Sequence, residues 1–359
     1  MKIGIDVSQL AYPGTGVATY TQNLVENLLK IDKKNEYLLF FSSLRKKTQS
    51  LNLKMQNAKL KTYPIPPLFW ELFWNKLHRL PIEIFTGKLD VLHTSDWLEP
   101  PSRAVKVTTV HDLAVYKYPE SFAVRGGHDI VANQKRKLTW VKKESKLIIA
   151  VSENTKKDLV EVLGIEPERI RVIYEAADPI YKETKDKKSA RRPYVLMMGG
   201  GARKNLARAV EAFGLLKTDS EMVVVGRGEG LEVSRFKDLN KNLKILGYVS
   251  KEKLRDLYFG AEVFVYPSLH EGFGLPVLEA MACGCPVVTS NVSSLPEVAG
   301  GTAVLVNPLD IEDIAKGIRI AMNSRVELRK KGLEQVKKFD WEKTARQTLA
   351  VYRETYEKS

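Results

Sequence analysis

Residues 267–284 read PSLHEGFGLPVLEAMACG, and this stretch decides the fold. It leaves a short apolar run at 263–266 that has the length and composition of a buried strand. A glycine-rich turn follows, Glu271-Gly272-Phe273-Gly274, and then an apolar segment of helical character that opens at Leu275. Pro276 stands in the first helical turn, where a missing N–H costs nothing. Gly284 stands where a helix stops. A strand feeding such a turn and helix presents bare backbone N–H groups at the positive end of the helix dipole, a cradle for phosphate. Two acids bracket the turn, Glu271 and Glu279. On one helix their spacing would part them by about 12 Å of rise. That is too far for a glycosidase carboxylate pair, which needs roughly 5 to 9.5 Å. With Glu271 in the turn and Glu279 on the helix, the two are expected to grip different parts of one elongated ligand. The plain alternative is a tight turn carrying two solvated acids.

The same grammar runs outward in both directions. Strands are expected at 2–7, 37–41, 59–63, 89–93, 105–111, 146–151 and 169–174, and again at 194–198, 221–225, 242–246, 263–266, 286–289 and 302–306. Helical patterns fall between them at 17–30, 153–163, 205–216, 251–259, 275–283 and 311–322, with a long one at 341–356. Ser152 reads as an N-cap and Gly164 as a stop. Alternating strands and helices predict parallel sheets with right-handed crossovers. Residues 182–192, KETKDKKSARR, are polar and charged and read as a linker. The expected fold class is α/β, with two doubly wound Rossmann-like domains facing a cleft. One spans 1–175 and the other 176–340, and ligands are expected outside the carboxyl ends of the strands.

Composition narrows the class further. The chain has 359 residues, 44% hydrophobic and 28% charged, which excludes a disordered protein. No apolar run reaches about 18 residues, so no transmembrane helix is expected. Asp6 comes too early for a signal peptide. The only cysteines, Cys283 and Cys285, suit neither a disulfide framework nor a zinc site and read as reduced thiols of a cytoplasmic protein. The 57 basic and 43 acidic residues give a net charge of +14, spread over both halves. Nucleic acid is not expected as a partner, because aromatic residues are too sparse within the basic stretches.

Several other positions carry chemistry. Arg203 and Lys204 follow a strand and a triple glycine, and two cations there suit a diphosphate leaving group. A pair of solvated cations is a poor alternative, because cations oppose the dipole at a helix start. His111-Asp112 end the strand VKVTTVHD, where a capped histidine is the plain alternative. Gly14-Thr15-Gly16 open a helix after the first strand, a second anion-friendly turn for donor phosphate or acceptor. Gly226-Arg227-Gly228-Glu229-Gly230 imitates a dinucleotide fingerprint with the wrong spacing and reads as a loop. Residues 68–80, LFWELFWNKLHRL, set Phe69, Phe73, Leu77 and Leu80 on one helical face beside Trp70 and Trp74. With the basic run 134–146 they offer a patch for anionic lipid, the alternative being a core-packed helix and a solvated charged face.

The stretch 267–284 resembles the E-x7-E signature of family 4 glycosyltransferases, retaining enzymes of the GT-B fold. The segments NVSSLPEVAG (291–300), FDWEKTA (339–345), VHDL (110–113), AVSE (150–153) and RKNL (203–206) resemble the same family. The resemblance extends over essentially the whole chain, toward a bacterial branch making cell-surface polysaccharides. It implies that Glu271 contacts the donor sugar and Glu279 the ribose hydroxyls, with the N–H groups of Phe273, Gly274 and Leu275 on the diphosphate. His111 would stand beside the donor sugar. Arg203 and Lys204 would face the leaving diphosphate, with Gly200 near the place where relatives carry an arginine. Tyr248-Val249 would lie near the base. The final helix would cross back onto the first domain, and closure would limit donor hydrolysis.

The activity this resemblance implies is retaining transfer of a hexosyl group from a GDP- or UDP-linked sugar to a glycan or lipid-linked acceptor. No cofactor is expected, and no metal, because no Asp-x-Asp element ends a strand. Peripheral contact with the inner face of the membrane is the accompanying expectation for location. Two rivals are a sugar-nucleotide 2-epimerase of the same architecture and a non-enzymatic basic scaffold for RNA or membranes.

Overall fold

The computed structural model describes residues 1–44, 57–122, 129–183, 192–226 and 242–358. The chain divides into two units, Met1–Glu175 with Asp340–Ser359, and Ala176–Phe339. Most of the expected linker and of the Gly226–Gly230 loop lies outside the described residues.

The first unit carries a seven-stranded sheet. Its strands are β1 (Lys2–Asp6), β2 (Glu36–Ser42), β3 (Ala58–Tyr63), β4 (Val91–Thr94), β5 (Val105–Val110), β6 (Ser145–Ala150) and β7 (Ile170–Val172). They lie side by side as β3-β2-β1-β4-β5-β6-β7, every pair parallel. The second unit holds β8 (Tyr194–Met198), β9 (Glu221–Val225), β10 (Leu243–Ile245), β11 (Val263–Tyr266), β12 (Val287–Ser290) and β13 (Val304–Val306). Their order is β10-β9-β8-β11-β12-β13, again all parallel. Each strand expected from the sequence overlaps one of these. The order reverses between β1 and β4 and between β8 and β11, so the loops leaving those strands splay apart and open a crevice at each sheet's carboxyl edge.

Local chemistry sets the helix ends. Thr15 Oγ1 accepts from Ala18 N at 3.2 Å and starts the helix Gly16–Ile31. Ser152 caps Glu153–Leu163 through Thr155 N at 3.0 Å, and Gly164, in the left-handed region, ends it. Asp340 caps Trp341–Glu357, whose Tyr352 hydroxyl lies 2.6 Å from His93 Nδ1 at the heart of the first unit. The Arg171 guanidinium grips Glu354 of the same helix. In the second unit the helices Leu206–Gly214 and Ile311–Asn323 cover one sheet face through Ala209, Val210, Phe213, Ile314 and Ile318, all buried.

The aromatic segment departs from its expected form. A short α-turn, Pro67–Trp70, runs into a π-helical turn, Glu71–Lys76, closed by Leu77 N to Leu72 O at 2.9 Å. The wider turn re-aims every later side chain. Trp70 and Trp74 are buried, while Phe69 and Phe73 are half-buried and Leu77 is exposed. The helix has ended before Leu80, whose φ is 65°. The indoles win the core because their N–H groups find acceptors, Ser42 Oγ at 2.7 Å and Leu80 O at 2.9 Å. The basic run divides too: Lys137 is buried, its ammonium pushed down by burial and held up by Glu99 and Asp96. Lys142 and Lys143 point to solvent from the last helical turn, where the dipole favours cations.

Candidate active site

In the second unit the two loops at the strand-order reversal meet. The loop after β8 passes through Gly199-Gly200-Gly201 into a short 3-10 turn, Ala202–Lys204. Asn205 then takes a left-handed conformation and locks the turn by donating to Pro267 O at 3.0 Å and Pro308 O at 2.6 Å. The loop after β11 is laced to it: Leu269 N donates to Arg203 O at 2.8 Å, and Ser268 Oγ lies 2.9 Å from the same oxygen. This bonding places the cations against the glutamate turn.

Glu271 is the centre of the arrangement. Its Oε1 accepts from Lys204 Nζ at 2.7 Å, Tyr266 OH at 2.9 Å and Ser268 Oγ at 2.6 Å. No described residue hydrogen-bonds Oε2. Burial pushes this carboxyl up, but the Lys204 charge, the Lys204 and Ser268 hydrogen bonds and the Arg203 charge outweigh it and hold it below its ordinary value. Lys204 also meets the Tyr266 hydroxyl, with Nζ 4.7 Å from the ring centroid. Burial and the Glu271 charge push the Tyr266 phenol well above its usual range, so it stays a donor.

The glycine turn is held from behind. Ser294 Oγ donates to Glu271 O at 2.9 Å and to Phe273 O at 2.7 Å, and Glu271 N donates to Ser293 Oγ at 3.2 Å. Gly274 sits at φ 108°, and a Cβ there would come within 2.8 Å of the buried Leu295 Cδ2. The helix Leu275–Ala282 follows directly, with Pro276 in its first turn. Glu279 lies on this helix, nearly buried, with one hydrogen bond from Tyr258 OH at 3.4 Å. Burial pushes its carboxyl up to about 7, Lys251 pulling down and Asp178 pushing further up. The two glutamates therefore differ sharply in environment: one is held ionised, the other is poised near neutrality.

In the first unit His111 follows β5. Its Nδ1 lies 3.0 Å from Glu175 Oε1 and its Nε2 3.0 Å from Ser95 Oγ. The edge of Tyr20 packs on the ring at 4.7 Å between centroids. Asp96, at φ 36°, has its carboxyl pushed up to about 6 by burial. Gly14 takes φ 85°, which turns the chain before the Thr15 cap, and Gly16 is the first helical residue. Tyr248 of the second unit is 73% exposed.

Residues 14–180 match Glycosyltransferase Family 4, and residues 181–339 match Glycosyl transferases group 1. The chain belongs to glycosyltransferase family 4. An O-antigen chain mannosyltransferase B of Escherichia coli is 28% identical over 98% of this chain and 100% of its own length. Among solved structures, a sucrose-phosphate synthase from Thermosynechococcus elongatus superposes with a TM-score of 0.75 at 21% identity, covering 100% of both chains. An Anabaena protein, HepE, in complex with UDP-glucose gives 0.71 at 16% identity over 99% of this chain and 100% of its own. The fold is GT-B.

In this glycosyltransferase the structure brings Glu271, Arg203, Lys204 and the Gly272–Leu275 turn together at one sheet edge. Glu279 lies one turn and more along the helix from them. His111, Gly14 and Gly16 belong to the other unit. Sequence reading missed Tyr266 and Ser268, which share Glu271 Oε1 with Lys204, and Ser95, Asp96 and Glu175 around His111. The Tyr-Pro-Ser run before the turn was a signal for Ser268. Glu175 had none, since its partner is 64 residues away. Cys283 and Cys285 are buried free thiols, Cys283 pushed up to about 12 by burial, and carry no chemistry in the site. Among the described residues no cluster of three His, Cys, Asp or Glu side chains could hold a metal, and no helix is long and apolar enough to cross a membrane.

Proposed function

We propose that this glycosyltransferase is a retaining hexosyltransferase. It moves a sugar from a GDP- or UDP-linked donor to a glycan or lipid-linked acceptor in surface polysaccharide synthesis. One observation carries the reading: Glu271, ionised, with one oxygen saturated by Lys204, Tyr266 and Ser268 and the other hydrogen-bonded by no described residue. A carboxylate fixed in that way accepts sugar hydroxyls and stabilises positive charge growing at the anomeric carbon. Lys204 is at once its counter-ion and the nearest cation for a leaving diphosphate. The helix end at Leu275 and Arg203 add to that neutralisation, so the reaction needs no metal. The bond from the anomeric carbon to the diphosphate breaks and the acceptor oxygen bonds on the same face. The acceptor's proton passes to the departing phosphate oxygen. Glu279 holds the ribose. The second unit takes the nucleotide and the first unit the acceptor.

The E. coli mannosyltransferase and the UDP-glucose complex support a hexose donor. Leu68, Leu72, Leu77 and Ile84, exposed around the π-helical segment, supply an apolar edge for peripheral contact with the cytoplasmic face of a membrane. Incubation with a panel of GDP- and UDP-sugars in EDTA, with the product anomer read by NMR, tests the reading. Transfer with the donor's anomeric configuration is expected. An inverted anomer, or activity restored only by magnesium or manganese, contradicts it. A nucleotide sugar inverted at C2 would instead mark an epimerase.

A further inference from the structure

We propose that Glu175 is the positioning residue of His111. It fixes the proton on Nδ1, and thereby makes Nε2 the atom that this side chain presents to substrate. The inference rests on the reading of His111 as a substrate contact. It begins from topology. His111 leaves the carboxyl end of β5 and Glu175 follows β7, two strands along the same sheet in the order β5-β6-β7. The Glu175 carboxylate therefore spans the end of β6 to reach the ring, with Oε1 3.0 Å from Nδ1. Glu175 is 3% exposed, and a carboxylate so placed is costly to bury unless it accepts a hydrogen bond. The imidazole supplies that bond. Since a carboxylate accepts, Nδ1 donates, and the tautomer follows from this one contact.

The rest of the pocket keeps the ring from turning. Tyr20 meets it edge-on, Thr155 Oγ1 donates to the His111 carbonyl at 3.2 Å, and Ser95 Oγ stands 3.0 Å from Nε2. A substrate hydroxyl approaching His111 has only Nε2 to meet, and it replaces Ser95 there. Charge acts in the same direction. Burial alone pushes the imidazole down, but the hydrogen bond and charge of Glu175, then Asp96 and Asp112, raise it above its ordinary value. His93, the other titratable ring nearby, is buried and pushed down to about 3. Tyr20, pushed far up by burial, remains a neutral phenol.

The segment bearing Glu175 is itself anchored. Ile173 N donates to Ala150 O at 2.9 Å, and Thr344 Oγ1 of the final helix donates to Tyr174 O at 2.7 Å. Glu175 also ends the first of the two segments that make up the first unit. The strand end and the final helix thus both bear on the orientation of one imidazole.

The test is imidazole NMR on the full chain, with His111 assigned among the five histidines by loss of its signal in His111→Asn. Wild type is expected to show the Nδ1–H tautomer and a raised titration midpoint. Glu175→Gln keeps the shape and removes the charge. It is expected to lower the midpoint by about one pH unit, a tenfold loss of proton affinity. Glu175→Ala is expected to lose the fixed tautomer as well, and kcat/KM with it. An Nε2–H tautomer in wild type overturns the proposal whether or not any variant folds. So does an unchanged midpoint in folded Glu175→Gln. If Glu175→Gln shifts the titration while His111→Asn keeps full activity, the pairing stands and the reading of His111 as a substrate contact fails.

Discussion

The turn at 266–275 and the aromatic segment at 67–76 are both dense in unusual side chains, and the molecule uses them in opposite ways. In the turn, the polar groups converge on one carboxylate and leave one of its oxygens hydrogen-bonded by no described residue. In the aromatic segment, the polar atoms are spent: each indole N–H has found an acceptor, and the two rings stack on one another at 4.1 Å between centroids and meet Phe40 edge-on and at a tilt. One region stores unspent hydrogen-bonding capacity beside a compensated charge. The other stores apolar area. A ligand can change the first, and only unfolding can change the second.

The largest expected effect breaks the aromatic region. Trp74→Ala removes a fully buried indole and is expected to cost about 3–5 kcal/mol of stability. Denaturant melts measure that cost, while turnover per folded molecule should stay near wild type. Lys204→Ala acts on turnover as well as on stability. It is expected to remove about 2–4 kcal/mol of transition-state stabilisation from kcat, the scale of one lost electrostatic donor, and to lower the melting temperature too, because the Glu271 carboxylate loses its counter-ion. Single-turnover kinetics beside a thermal melt check it. A smaller effect concerns Glu279, poised near 7 by burial. In the proposed function its ionised form accepts ribose hydroxyls, so donor KM should rise as pH falls from about 8 to about 6, and Glu279→Gln should flatten the profile. The smallest is Leu72→Ser. Leu72 is exposed on the π-helical turn, so stability should change by no more than about 0.5 kcal/mol by the same melt.

These contrasts also explain what the sequence could and could not reveal. The turn was legible because its rules are local: paired glycines for a tight turn, Pro276 for a first helical turn, Gly284 for a stop, a strand just before. The parallel sheets were legible for the same reason, as short apolar runs spaced by helical patterns. The face buried by residues 67–76 was not. It depended on a π-turn and on Ser42, which waits in a different strand to accept from Trp70. The partners within the site were hidden likewise. Tyr266 reaches Glu271 together with Lys204 only because β8 and β11 are neighbours at the reversal of strand order. Glu175 reaches His111 only because β5, β6 and β7 lie side by side. Strand adjacency is a property of the assembled sheet, and no short stretch of sequence encodes it.

The central claim is that Glu271 in the turn and Glu279 on the helix after it divide the donor between them. In the proposed function Glu271 stabilises charge that grows only in the transition state, and Glu279 makes contacts that scarcely change during reaction. Steady-state kinetics of Glu271→Gln and Glu279→Gln, each with its melting temperature, test this most directly. The account predicts a strong fall in kcat with little change in donor KM for Glu271→Gln, and a raised donor KM with kcat largely kept for Glu279→Gln. The reverse pattern, at unchanged melting temperatures, would contradict it.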